Sequence, residues 1–193
     1  MIRFDRLDEP AEFDAKARRP GLRWLEEHPH SKRPRDLWSP FKPDLAAGFG
    51  DLCAYSAMYE PVGTVDHFKS ISRNRELAYE WSNLRFASGW INSSKRDVDQ
   101  ILDPFEIGED WFEILLPSLQ LVLTERVPSE LRQRAEFTLE RLHLRDDERV
   151  IRQRRAWLQL YEQGDLTLEG LHKMAPLIAR AVARASGSTF RKS

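Results

Sequence analysis

Sulfur is nearly absent from this chain. A single cysteine, Cys53, in 193 residues excludes an intrachain disulfide framework, and it equally excludes a four-cysteine zinc site made by this chain alone. Long apolar runs are missing as well: Ile114 to Leu116 and Leu119 to Val122 fall far short of the roughly 20 residues that a bilayer helix needs, so no membrane partner is expected. The opening residues, Met1-Ile2-Arg3-Phe4-Asp5-Arg6, are charged and lack the apolar stretch of a secretory signal, which makes the cytoplasm the expected compartment. No P-loop, Gly-x-Gly-x-x-Gly or Gly-x-Ser-x-Gly pattern occurs, so ATP hydrolysis by this chain is not expected.

Aromatic residues, by contrast, are plentiful. Ten Phe, six Trp and four Tyr, within a hydrophobic share of 41%, can fill the core of one ample domain. The formal net charge of −1 conceals opposed regions. Lys16 to Arg35 holds seven basic residues against Glu26 and Glu27, a net of +5, whereas Asp97 to Glu125 holds eight acids and no Lys or Arg. Local basic surfaces therefore remain open to an anionic partner.

The expected fold class is α+β. Residues 1–45 are rich in Pro and charge, with Trp24, Leu25, Leu37, Trp38 and Phe41 as scattered anchors, and read as an irregular arm with short helical turns. Residues 46–100 read as a small β-β-α module: Leu52 to Tyr55 and Thr64 to Phe68 form a hairpin around Glu60-Pro61-Val62-Gly63, Leu77 to Leu84 a short helical turn, and Asn92 to Val98 the start of a helix. Residues 101–127 read as a second hairpin turning at Pro117-Ser118, with a buried helix as the alternative that periodicity leaves open. Residues 128–185 form a helical subdomain. There Leu131, Ala135, Leu139 and Leu142 make one stripe, Asp146 or Asp147 starts a second helix that Gly164 stops, and Leu168 to Ala185 gives a third with Pro176 as a kink. Residues 186–193 are a basic tail.

Chemistry concentrates in Val65-Asp66-His67-Phe68, Trp81-Ser82-Asn83-Leu84 and Trp90-Ile91-Asn92-Ser93-Ser94-Lys95. Asn83 lies 16 residues after His67, and Asn92 nine residues after that. A His near its ordinary pKa of about 6.5 can take a proton from water at physiological pH. A carboxylate and an amide oxygen can hold a hard divalent cation that neutralises charge gathering on a phosphate.

This order resembles the HNH endonucleases, the ββα-metal nucleases, in the variant whose last His is replaced by Asn. The similarity covers about Phe49 to Lys95, a quarter of the chain. Within that family it looks most like the bacterial HNH proteins of anti-phage defence, of the PtuB, Septu and retron-associated type. The resemblance implies a small ββα-metal HNH module with an added hairpin and a C-terminal helical subdomain. It implies His67 as general base, Asp66 and Asn92 as metal ligands, Asn83 bridging hairpin and helix to fix the imidazole, and Lys95 approaching the scissile phosphate. Mg²⁺ or Mn²⁺ is the implied cofactor and DNA the implied substrate. RNA is the alternative, because base, water and metal act on the phosphate and not on the sugar. A defence ATPase is the implied protein partner, and a decayed module kept for its contacts is the competing role.

Many members of the family carry two Cys-x-x-Cys pairs for a structural zinc. Here those positions read Cys53-Ala54-Tyr55-Ser56 and Ser88-Gly89-Trp90-Ile91, so that zinc is not expected. His28 and His30 sit beside prolines in a charged arm and read as solvated; His143 and His172 read as structural or surface residues. Arg145, Arg149, Arg152, Arg154 and Arg155 read as a salt-bridged helix face. Arg180, Arg184, Arg191 and Lys192, with no acid nearby in sequence, fit phosphate contact better.

Overall fold

The computed structural model describes residues 1–187, so Arg191, Lys192 and most of the expected basic tail lie outside the described residues. The fold is α+β: seven α-helices and two separate two-stranded antiparallel sheets among the described residues. No helix among them is long and apolar enough to cross a membrane.

The arm is more regular than its prolines suggest. A π-helical turn at Asp14–Arg18 runs directly into α1, Arg19–Glu27, and a 3-10 turn at Ser39–Phe41 leads into α2, Lys42–Gly48. Pro20 and Pro43 occupy the first turns of these helices. The arm thus contributes helices rather than isolated turns.

The first sheet corrects the expected hairpin. β1, Thr64–His67, pairs not with Leu52 to Tyr55 but with β2, Leu84–Ala87, in the register Thr64 to Ala87 and His67 to Leu84. The Leu52 segment is a tight buried turn: the Cys53 N–H donates to the Met58 carbonyl at 2.9 Å, and only the Leu52–Tyr59 bridge is strand-like. Its backbone link to the sheet is Ala54 N–H to the Phe86 carbonyl, 2.8 Å. The predicted helical turn at Leu77 to Leu84 reduces to 3-10 turns at Arg75–Leu77 and Trp81–Asn83, after which the chain extends as β2. Gly63 is required just before β1, because a Cβ there would lie 2.3 Å from the Phe86 ring.

Helix α3, Gly89–Lys95, follows β2 at once and begins three residues before the expected start at Asn92. The order is therefore strand, long loop, strand, helix. Period-two alternation along β1 turns Thr64 and Asp66 toward α3 and leaves Val65 and His67 on the other face, beneath the arm.

The second hairpin stands as expected, with β3, Phe112–Leu115, paired to β4, Gln120–Leu123. Four helices complete the chain: α4, Ser129–Arg141; α5, Glu148–Glu162, capped by the Asp147 carboxylate; α6, Leu168–Met174; and α7, Pro176–Ala185. Pro176 does more than kink the third helical stretch; it divides it in two. Ala135, Leu139 and Leu142 of the predicted stripe are fully buried.

Two apolar clusters hold these parts together. One joins Cys53, Phe68, Ala87 and Ile91 to the hairpin and to α4–α7; the other joins Phe13, Ala17, Trp38, Phe41 and Leu45 of the arm to Trp81, Leu84, Phe86 and Phe105. Both clusters pass through the β1–β2–α3 unit, which is packed on two sides by the rest of the chain.

Candidate active site

His67 closes β1 and is held at three points. Its backbone is in the sheet, its Nε2 lies 2.9 Å from the Ala78 carbonyl, and its ring meets Trp38 edge-on with centroids 4.5 Å apart. A carbonyl can only accept, so Nε2 carries the proton and Nδ1 is left as the basic nitrogen. Burial holds the His67 pKa below its ordinary value of 6.5, against the opposing pull of the Ala78 carbonyl and Asp66. The imidazole is therefore neutral at physiological pH.

Asn83 sets where that carbonyl stands. Its Oδ1 accepts from the Lys69 N–H at 2.7 Å, and its Nδ2 donates to the carbonyls of Lys69 at 3.0 Å and Leu77 at 3.2 Å. These bonds clip the two ends of the loop between β1 and β2, so that Ala78 follows directly from the clipped end. The bridge expected between hairpin and helix is instead a bridge across this loop.

Asp66 is buried, and both of its oxygens are engaged: Tyr55 Oη donates to Oδ2, and Lys95 Nζ lies 3.0 Å from Oδ1. The Lys95 ammonium also donates to the His67 carbonyl at 2.7 Å and is wholly buried. The expectation that Lys95 reaches toward a phosphate does not hold. One turn after Asn92 it points beneath the sheet, where the charge of Asp66 draws it in.

Asn92 turns its Nδ2 to Thr64 Oγ1 at 3.1 Å and to the Val65 carbonyl at 3.3 Å. That orients the amide so that its Oδ1, which accepts nothing from the described residues, is the outward atom. Asp66 and Asn92 carry oxygen donors only, the type suited to Mg²⁺ or Mn²⁺, with both Asp66 oxygens already bonded to Tyr55 and Lys95. Among the described residues no three His, Cys, Asp or Glu side chains converge as a metal site.

Asp66, His67 and Asn92 line one open cleft of about 790 Å³. Its opposite wall is the arm, with Arg33, Asp36, Trp38 and Lys42; Arg96, just past α3, stands at its edge. No protein-family model matches the chain, and no curated protein matches it.

Trp38, Tyr55 and the Ala78 carbonyl are site components that sequence spacing did not mark. Trp38 lies 29 residues before His67 and reads in sequence only as an apolar anchor. Cys53 and Ser88 also meet: the Ser88 N–H donates to Cys53 Sγ at 3.4 Å, with Ser56 and Ile91 buried close by in sequence.

The other basic residues sort differently. Arg180 pairs with Asp110 at 2.6 Å and Arg184 with Glu113 at 2.9 Å, so the two are tied to hairpin acids and do not offer the free charge expected of them. Arg145, Arg149 and Arg152 pair with Glu136, Asp147 and Glu148, as expected of a salt-bridged face. Arg154 is buried and donates to the carbonyls of Leu119, Leu144 and Arg145. His28 stacks on Trp24 with its Nδ1 2.9 Å from the Trp24 carbonyl, a local contact at the C-terminal end of α1.

Proposed function

We propose that this protein is a metal-dependent endonuclease of the HNH, ββα-metal type that hydrolyses DNA phosphodiester bonds as the effector of an anti-phage defence complex. One observation carries the reading: a strand–loop–strand–helix unit sets a neutral imidazole, tied through Nε2 and basic at Nδ1, on a cleft that Asp66 and Asn92 also line. The meeting of Cys53 and Ser88 adds support, because both occupy positions where the resembled family places zinc ligands.

His67 takes the proton of an attacking water at Nδ1, and the Ala78 carbonyl steadies the imidazolium that forms through its bond at Nε2. Trp38 covers one side of the ring and keeps bulk water from it. Asn83 acts through the loop that carries Ala78 and is a positioning residue. Asp66 and Asn92 would hold Mg²⁺ or Mn²⁺, which supplies charge neutralisation at the phosphate. Lys95 fixes the Asp66 carboxylate from below.

A second reading, a module kept for docking on an ATPase, is favoured by the same Lys95, since an ammonium already balances the charge of Asp66. Supercoiled plasmid and a labelled RNA, each with Mg²⁺, Mn²⁺ or EDTA and with and without whatever ATPase is encoded beside the gene, separate the two. Metal-dependent cutting of DNA that His67→Ala abolishes is the expected result. No cutting of either substrate by wild type, with the ATPase present, overturns the nuclease reading.

A further inference from the structure

The cationic side chains of this protein are distributed unevenly between paired and unpaired states. Arg149, Arg152 and Arg154 of α5 and Arg180 and Arg184 of α7 face carboxylates or carbonyls, and in the arm Lys16, Arg18 and Arg19 pair with Glu12, Glu9 and Asp14. Arg33, Lys42 and Arg96, by contrast, make no side-chain hydrogen bond or ion pair to the described residues, and all three line the cleft that holds His67. The cleft's own carboxylates are occupied. Asp36 accepts from the Ser39 N–H at 3.0 Å and Ser39 Oγ at 2.6 Å, and Asp66 is balanced by Lys95.

The wall that carries two of these cations is fixed in place. Tyr79 Oη donates to the Arg35 carbonyl at 2.7 Å, and the Arg75 guanidinium donates to the carbonyls of His28 and Ser31. The backbone around Arg33 is thus anchored on the β1–β2 loop, the same loop that Asn83 clips. Arg96 pays a conformational cost for its position: it sits at φ +54°, ψ −128°, a backbone state that side chains other than glycine rarely adopt.

We infer that the arm is the second wall of a nucleic-acid groove, in which Arg33 and Lys42 from the arm and Arg96 from the end of α3 grip successive phosphates of one strand and lay it across His67. The inference rests on the nuclease reading for the nature of the polyanion. It goes beyond that reading because two of the three contacts lie outside the β1–β2–α3 unit.

Fluorescence anisotropy with the full chain in EDTA tests it, using labelled single-stranded DNA, duplex DNA and single-stranded RNA of one sequence over a range of salt. Each neutralised phosphate contact lowers the slope of log affinity on log salt by about 0.7–0.9, so the Arg33→Gln, Lys42→Gln, Arg96→Gln triple variant loses about 2–3 units of slope on the preferred strand. Arg152→Gln and Arg184→Gln, whose partners are carboxylates, leave it unchanged. Arg96→Gly releases the strained backbone, so it binds more weakly while unfolding at or above the wild-type temperature.

An unchanged slope in the triple variant overturns the groove, as does the absence of binding to all three nucleic acids. If His67-dependent cutting persists while the triple variant binds as wild type does, the groove falls and the nuclease stands. If binding needs the three cations but no cutting occurs, the groove stands and the nuclease falls.

Discussion

Replacing Lys95 by Met removes one charge from a deeply buried pair. The ammonium is wholly buried, 3.0 Å from Asp66 Oδ1 and 2.7 Å from the His67 carbonyl, and Asp66 keeps only the Tyr55 hydroxyl when it is gone. Breaking a buried pair by removing one partner costs about 3–5 kcal/mol, because the remaining charge stays desolvated. At about 2–4 °C per kcal/mol for a chain of this size, the midpoint of thermal unfolding falls by roughly 6–20 °C. Met matches the aliphatic stem of Lys, so the loss is electrostatic rather than a cavity. Asp66→Asn in the Lys95→Met background takes the orphaned charge away and recovers part of the loss. The assay is urea unfolding in EDTA for wild type, both single variants and the double, compared as a cycle. A loss below about 1 kcal/mol in Lys95→Met, or strictly additive effects, refutes the buried pair as the support of Asp66.

Two further outcomes follow from the same site. Asn83→Ala leaves the Lys69 N–H and carbonyl without a partner, while the Leu77 carbonyl keeps the Glu80 N–H, at about 1–3 kcal/mol for each group left unpaired. Its unfolding midpoint drops, and kcat for cleavage falls while KM holds; an unchanged midpoint contradicts the loop clip. The pH profile of cleavage has its acid limb below 6.5, because burial lowers the His67 pKa and the neutral, proton-accepting form is the majority at any pH above that lowered value. An acid limb above 6.5 in the metal-saturated enzyme excludes His67 as the base.

What the sequence made legible is what depends on neighbours in the chain. Leu131, Ala135, Leu139 and Leu142 recur with the helical period, and α4 is there. Phe112–Leu115 and Gln120–Leu123 flank a Pro-Ser turn, and the hairpin is there. β2 was hidden because all four of its residues are buried, so no alternation shows, and because it carries Arg85. Arg85 is tolerated there only because Asp103 meets it with two hydrogen bonds, 3.0 and 2.6 Å, from 18 residues away. Arg180 and Arg184 were misjudged for the same reason, since Asp110 and Glu113 reach them across about 70 residues. The order of Asp66, His67, Asn83 and Asn92 did bring three of the four to one cleft and the fourth to the loop behind it. Trp38 lay beyond such reasoning, since nothing local to it refers to His67.

That contact between Trp38 and His67 has a consequence for the birth of the chain. The arm leaves the ribosome before the sheet it packs on, yet the cluster that seats Trp38 includes Phe86 and Phe105. At about 5–20 residues per second, roughly 3–13 s pass between synthesis of Trp38 and of Phe105. Until then the arm has no surface to fold onto, and the cleft has one wall. A nascent chain that has already made Asp66, His67 and Asn92 therefore still lacks the enclosure that desolvates the imidazole, and the cutting chemistry proposed for it waits on the docking of the arm.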